Sequence, residues 1–91
     1  MNKQELIDLI SDKTGISKRK TKAVIDTAIE LASDSLVSGE PVVIRGFCTL
    51  DVRMTPARRI GGVATLKIPE RRVVFFRCGD KLKTRVNKEV P

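Results

Sequence analysis

Apolar residues recur at helical spacing through the first part of this sequence and then switch to every second position, so the chain reads as helices followed by strands. Leu6, Ile7, Leu9 and Ile10 make one stripe, with Asp8, Asp12 and Lys13 largely on the other side, which predicts a first helix. Asn2 is a suitable N-cap, and Glu5 completes a capping-box-like arrangement. Gly15 suits a left-handed C-terminal position, Ile16 follows as an anchor, and Ser17 can cap a second helix. From Lys18 the helical spacing persists for about twenty residues. Ala23, Val24, Ile25, Ala28, Ile29, Leu31, Ala32, Leu36 and Val37 form a stripe wider than one partner helix needs, which predicts burial against more than one surface. Ser38-Gly39-Glu40-Pro41 ends that helix.

The strand pattern opens with Val42, Val43 and Ile44, turns at Arg45-Gly46-Phe47, and continues from Cys48 to Val52 with apolar residues at alternate positions. The apolar alternation fails from Arg53 to Ile60, meets Gly61-Gly62, and returns from Val63 to Pro69, before a β-rich run at Val73-Val74-Phe75-Phe76. Two extended limbs joined by a Gly-Gly pair predict a β-hairpin. Its outbound limb is rich in arginine and poor in large apolar side chains, so it is expected to project as an arm, at about residues 53–69. Pro56 cannot donate to a ladder and belongs on an edge, where it bends the arm. Leu82 and Val86 then share one face of a short helix whose other positions include Lys81, Lys83, Arg85 and Lys88. The expected fold is α+β: a two-helix hairpin, a three-stranded antiparallel sheet with a protruding β-hairpin arm, and a short C-terminal helix.

Ninety-one residues allow a single domain, 1–91, and a chain that spends part of its length on an arm buries little. Oligomerisation is the expected remedy. The net charge of +7 is divided unevenly, with a net of −1 over residues 1–44 and +8 over residues 45–91. That asymmetry points to a polyanion bound by the C-terminal half, against the plainer reading of a solvated basic surface. The Lys18-Arg19-Lys20-Thr21-Lys22 run supports two readings equally, a phosphate site or a solvated helix start. Cys48 and Cys78 lack a metal spacing and there is no histidine, so zinc is not expected; a disulfide is the alternative, but a lone pair without a secretion signal reads more readily as two free thiols, small buried hydrophobes. The N-terminus lacks the apolar core of a signal peptide and no run reaches the length of a membrane span, so a cytoplasmic protein is expected. No nucleophile sits beside a base, so neither catalysis, a cofactor nor a small-molecule substrate is expected.

Several stretches together resemble one family. The opening Met1-Asn2-Lys3-Gln4-Glu5-Leu6-Ile7, the Lys13-Thr14-Gly15-Ile16-Ser17-Lys18 junction, the Gly46-Phe47 turn and the run from Arg71 to Lys83 are similar, in order and spacing, to the HU and integration host factor family of bacterial and phage DNA-binding proteins. The resemblance covers nearly the whole chain. It implies an intertwined dimer, of like chains or with a related subunit, whose β-arms follow the minor groove of double-stranded DNA in the nucleoid. It also implies bending or compaction with little sequence preference. Carried over by position, Arg53, Arg58 and Arg59 match basic arm positions, Arg45 matches an arginine before the Gly-Phe turn, and Lys3, Arg77 and Lys83 match body positions near phosphates. Lys67 on the return limb is expected to join them as a DNA-binding position.

The chain departs from the family at the arm, which lacks the usual Arg-Asn-Pro run and is shorter, so a shallower bend is expected. Ile60, beside Gly61-Gly62, stands where it could replace the proline wedge, or it could simply face Val63 across the turn. Cys48 replaces a usual glycine, Cys78 a usual proline, and Asp80 a common lysine whose loss weakens that flank. Two rival readings are an RNA-binding protein and a partner-binding dimer that modulates a host HU-like protein. The absence of Tyr and Trp argues against the base-stacking platforms RNA readers use.

Overall fold

Asn2 and Gly15 set the ends of the first helix, α1 (Lys3–Thr14), as expected from the sequence. The Asn2 side-chain oxygen accepts from the Glu5 backbone amide at 2.8 Å, and its side-chain Nδ2 donates to Glu5 Oε1 at 3.2 Å, so the return bond of the expected capping box runs between the two side chains instead of to the Asn2 backbone. Gly15 adopts φ 76° and its amide donates to the Ser11 carbonyl. The second helix, α2 (Lys18–Val37), opens with the Ser17 hydroxyl accepting from the Lys20 amide at 3.2 Å. It closes with Gly39 donating to Leu36 and Glu40 to Ser35, the paired bonds of a Schellman motif, before Pro41.

The computed structural model describes residues 1–55, 58–60, 66–68 and 70–88, with side chains described at 1–55 and 70–88. The chain divides into two compact units, Met1–Asp34 and Ser35–Pro91. The second unit holds a three-stranded antiparallel sheet of β1 (Val42–Ile44), β2 (Cys48–Thr55) and β5 (Arg71–Cys78), in the order β1-β2-β5. Two further strands, β3 (Arg58–Ile60) and β4 (Leu66–Ile68), pair antiparallel in their own ladder, and α3 (Asp80–Lys88) follows the sheet.

Several expectations need correcting. β2 continues past Val52 to Thr55, because β5 starts at Arg71 and supplies partners for Arg53, Met54 and Thr55 where the apolar alternation has already failed. Ile60 does not face Val63: its register partner is Leu66, while Pro56, Gly61, Gly62 and Val63 lie outside the described residues. Of the α1 stripe only Ile7 is buried, and in α2 the buried residue is Thr21, whose hydroxyl donates to the Ser17 carbonyl. Much of the wide α2 stripe stays uncovered within one chain, with Val24 66% and Leu31 64% exposed, while Ile25, Ala32 and Leu36 are half-buried. Cys48 is buried as expected, whereas Cys78 is exposed, because it sits at the open end of edge strand β5.

The stability of so thin a core is the physical problem this fold poses. Ile7 and Cys48 are the buried apolar side chains among the described residues, while Ile44, Phe47, Val74 and Phe76 are exposed. Each large apolar side chain moved out of water contributes about 1.5–3 kcal/mol, so the single chain leaves much of its driving force unused.

Candidate nucleic-acid interface

Strand alternation sorts the β2–β5 ladder into two chemically distinct faces. Cys48, Leu50, Val52 and Met54 share one face with their partners Cys78, Phe76, Val74 and Arg72. Thr49, Asp51, Arg53 and Thr55 share the other with Arg77, Phe75, Val73 and Arg71. The second face therefore carries three arginines against the single carboxylate of Asp51, whose Oδ1 accepts from the Val52 amide at 2.8 Å. The Arg53 guanidinium lies over the Phe75 ring, 4.9 Å from its centroid, and this cation–π contact holds the arginine at the foot of the hairpin. Arg53 and Arg77 are thus brought to one face. Arg71 joins them, a residue sequence reasoning passed over although register parity places it there.

Arg72 points the other way in the ladder and has a structural task. Its Nη2 donates to the carbonyls of Leu36 and Val37, both at 2.9 Å, at the C-terminal end of α2. The last turn of α2 has no basic residue of its own, so this arginine supplies the positive charge that a helix C-terminus favours.

Beyond the sheet, the β3–β4 register pairs Arg58 with Ile68, Arg59 with Lys67, and Ile60 with Leu66. The Arg59–Lys67 rung places two cations at directly opposed positions, which costs stability in isolation and is relieved by an anion.

A second basic cluster forms at the β1–β2 turn, where Gly46 takes φ 81°. Arg45, Gly46 and Phe47 line a groove of about 230 Å³ with Lys81, Leu82 and Arg85 of α3. Arg45 was expected from the sequence; Lys81 and Arg85 were not, although their i,i+4 spacing places them on one side of the helix. Lys83 is exposed on α3 and does not line the groove. Asp80, the departure expected to weaken this flank, begins the helix, where a carboxylate is favourable.

In the helical unit Lys3 Nζ is ion-paired with Asp26 Oδ1. Its hydrogen bond to Asp26, followed by the charges of Lys3 and Lys22, holds that carboxyl below the usual carboxylate range despite an opposing desolvation effect. Lys22 Nζ approaches the other Asp26 oxygen at 4.0 Å, and Lys18 lies 3.4 Å from Asp8. Two of the four cations at the start of α2 thus have carboxylate partners. Asp26 was missed in the sequence because it meets Lys3 across two helices rather than at a local spacing. No helix among the described residues is long and apolar enough to cross a membrane.

Against known proteins, the profile of the family described as "Bacterial DNA-binding protein" matches residues 1–87. The chain is 40% identical to DNA-binding protein HU of Thermotoga maritima, over 94% of this chain and 99% of that one. It is 36% identical to the integration host factor subunit alpha of Albidiferax ferrireducens, over 98% of this chain and 90% of the relative. Among solved structures, an Anabaena HU–DNA cocrystal matches with a TM-score of 0.87 and 30% identity, covering 94% of this chain and 97% of that one.

Proposed function

The chain belongs to the bacterial DNA-binding protein family, alongside HU and integration host factor, and from that premise we propose that it is a non-enzymatic architectural protein of the nucleoid. Two copies, or one copy and a related subunit, clasp duplex DNA along the minor groove and bend or compact it with slight sequence preference. The observation that carries this reading is the arginine face of β2 and β5, which leads in the chain to the Arg59–Lys67 rung. Minor-groove binding suits it, because arginines there meet a narrow groove of high negative potential without needing a major-groove reading helix. The family's relatives are named for DNA, which favours this reading over the RNA-binding and host-modulating alternatives.

Dimerisation is supported by the apolar side chains left outside. Val24, Ala28 and Leu31 line an open groove on α2 with Ala23 and Thr27, and a second copy covering such faces supplies the core that one chain lacks. Each neutralised phosphate contributes about 0.9 to the slope of log affinity against log salt, so a dimer that neutralises on the order of 8 phosphates binds steeply more weakly as salt is added. Fluorescence anisotropy of a labelled duplex across a salt series tests the proposal, with an RNA duplex as competitor and analytical ultracentrifugation for the assembly. A shallow slope, preferential capture of RNA or a monomeric species overturns it.

A further inference from the structure

We infer that Cys48 and Cys78 are a modification site: the two thiols close into a reversible disulfide that ties β2 to β5 within one chain. Both are free thiols in this structure, one buried and one exposed, and they are direct partners in the β2–β5 register. The neighbouring backbone fixes the kind of rung they occupy. The Gly79 amide donates to the Phe47 carbonyl at 2.7 Å, and these residues flank the Cys48–Cys78 pair, one position beyond the last rung of the ladder. A rung bonded in this way alternates with one that is not, so Cys48 and Cys78 stand on a non-hydrogen-bonded rung, where facing side chains approach most closely. Facing Cα atoms on such a rung are about 4.5 Å apart. A disulfide bridges Cα separations of about 4.4–6.8 Å. Their side chains also share a face of the ladder, as closure requires.

The strand ends are held close on this rung's outer side. A Cβ placed on Gly79 would come within 3.0 Å of backbone atoms of Gly46 and Phe47, so the backbones converge there. The Cys78 thiol donates weakly to the Gly79 carbonyl at 3.5 Å, a contact that closure gives up.

The oxidant is a small-molecule disulfide. The thiolate of exposed Cys78 attacks one sulfur of that disulfide, forming a mixed disulfide and releasing the other half as a thiolate. The Cys48 thiolate then displaces the second half, so the Cys48–Cys78 bond forms. Two protein thiols are oxidised, one small disulfide is reduced to two thiols, and the two protons pass from the cysteines to those leaving thiolates. The product encloses β3, β4 and their flanking segments in one covalent loop, which restricts the unfolded chain and raises Tm.

The full-length reduced protein is incubated in buffers of graded oxidised-to-reduced glutathione ratio, then analysed by intact mass, peptide mapping and non-reducing electrophoresis. The expected result is loss of both thiols together, a mass lower by two hydrogens, a single-chain band, a higher Tm and full reversal by dithiothreitol. Cys48→Ser should instead retain one glutathione adduct on Cys78, and Cys78→Ser should form no intrachain bond. A wild-type chain that keeps the glutathione adduct, joins to a second chain through sulfur, or retains both thiols in the most oxidising buffer overturns the inference.

Discussion

Lys3 on α1 and Asp26 on α2 form an ion pair that depresses the Asp26 carboxyl, and the same lysine is expected at DNA phosphates. A phosphate reaching Lys3 therefore competes with a carboxylate already in place. Asp26→Asn is expected to raise duplex affinity at low salt, measured by anisotropy. The pH dependence has a definite sign. A carboxyl with a lowered folded pKa stabilises above its unfolded value of 3.8, and that contribution is lost as pH falls through the folded value. The stability difference between wild type and Asp26→Asn, read from thermal unfolding, should be present at neutral pH and vanish in acid below that range.

The arm arginines should govern affinity without governing assembly. Replacing Arg53, Arg58 and Arg59 together by alanine is expected to remove most duplex binding while sedimentation still shows the dimer. The salt slope should fall by about 0.9 for each phosphate that is no longer neutralised. Unchanged affinity would remove the arm from the binding surface.

Arg72 should behave in the opposite way. Arg72→Ala removes two bonds to the Leu36 and Val37 carbonyls, both partly open to solvent, so the expected loss is about 1 kcal/mol. Thermal unfolding followed by circular dichroism should show Tm lowered by about 4–8 °C. Duplex affinity measured well below Tm should stay at the wild-type value, which separates this arginine from those on the other face.

Gly79→Ala tests the closure of the sheet against the β1–β2 turn. The new methyl meets backbone, not a flexible side-chain end, so the strand must shift at an overpacking cost of about 1–3 kcal/mol. Chemical denaturation should show a lower midpoint with an unchanged m-value. Gly15→Ala has open space around its methyl, and its cost comes from φ 76° alone.

What the sequence disclosed follows the range of the forces involved. The bounds of α1 and α2 were legible because Asn2, Gly15, Ser17 and Gly39 act on amides and carbonyls a few residues away. The contact of Arg53 with Phe75, the cap from Arg72 and the pairing of Lys3 with Asp26 join residues distant in sequence, and no local spacing announces them. Arg53 and Arg77 were named as candidates through family likeness, while Arg71, Lys81 and Arg85 became candidates only with the register and the turn groove. The end of β2 was misplaced because its last rungs are set by hydrogen bonding to β5 and not by apolar alternation.

The division of the β2–β5 ladder into an arginine side and an apolar side restricts how such a chain can change its length. One residue inserted or deleted early in β2 would exchange the two sides beyond that point, moving Arg53 to the apolar side and Val52 to the arginine side. Residues added or removed in the stretch joining β3 to β4 leave every rung between Cys48 and Thr55 untouched. Reach can therefore diverge between relatives by indels near the hairpin's end, while the sheet beneath keeps a fixed parity.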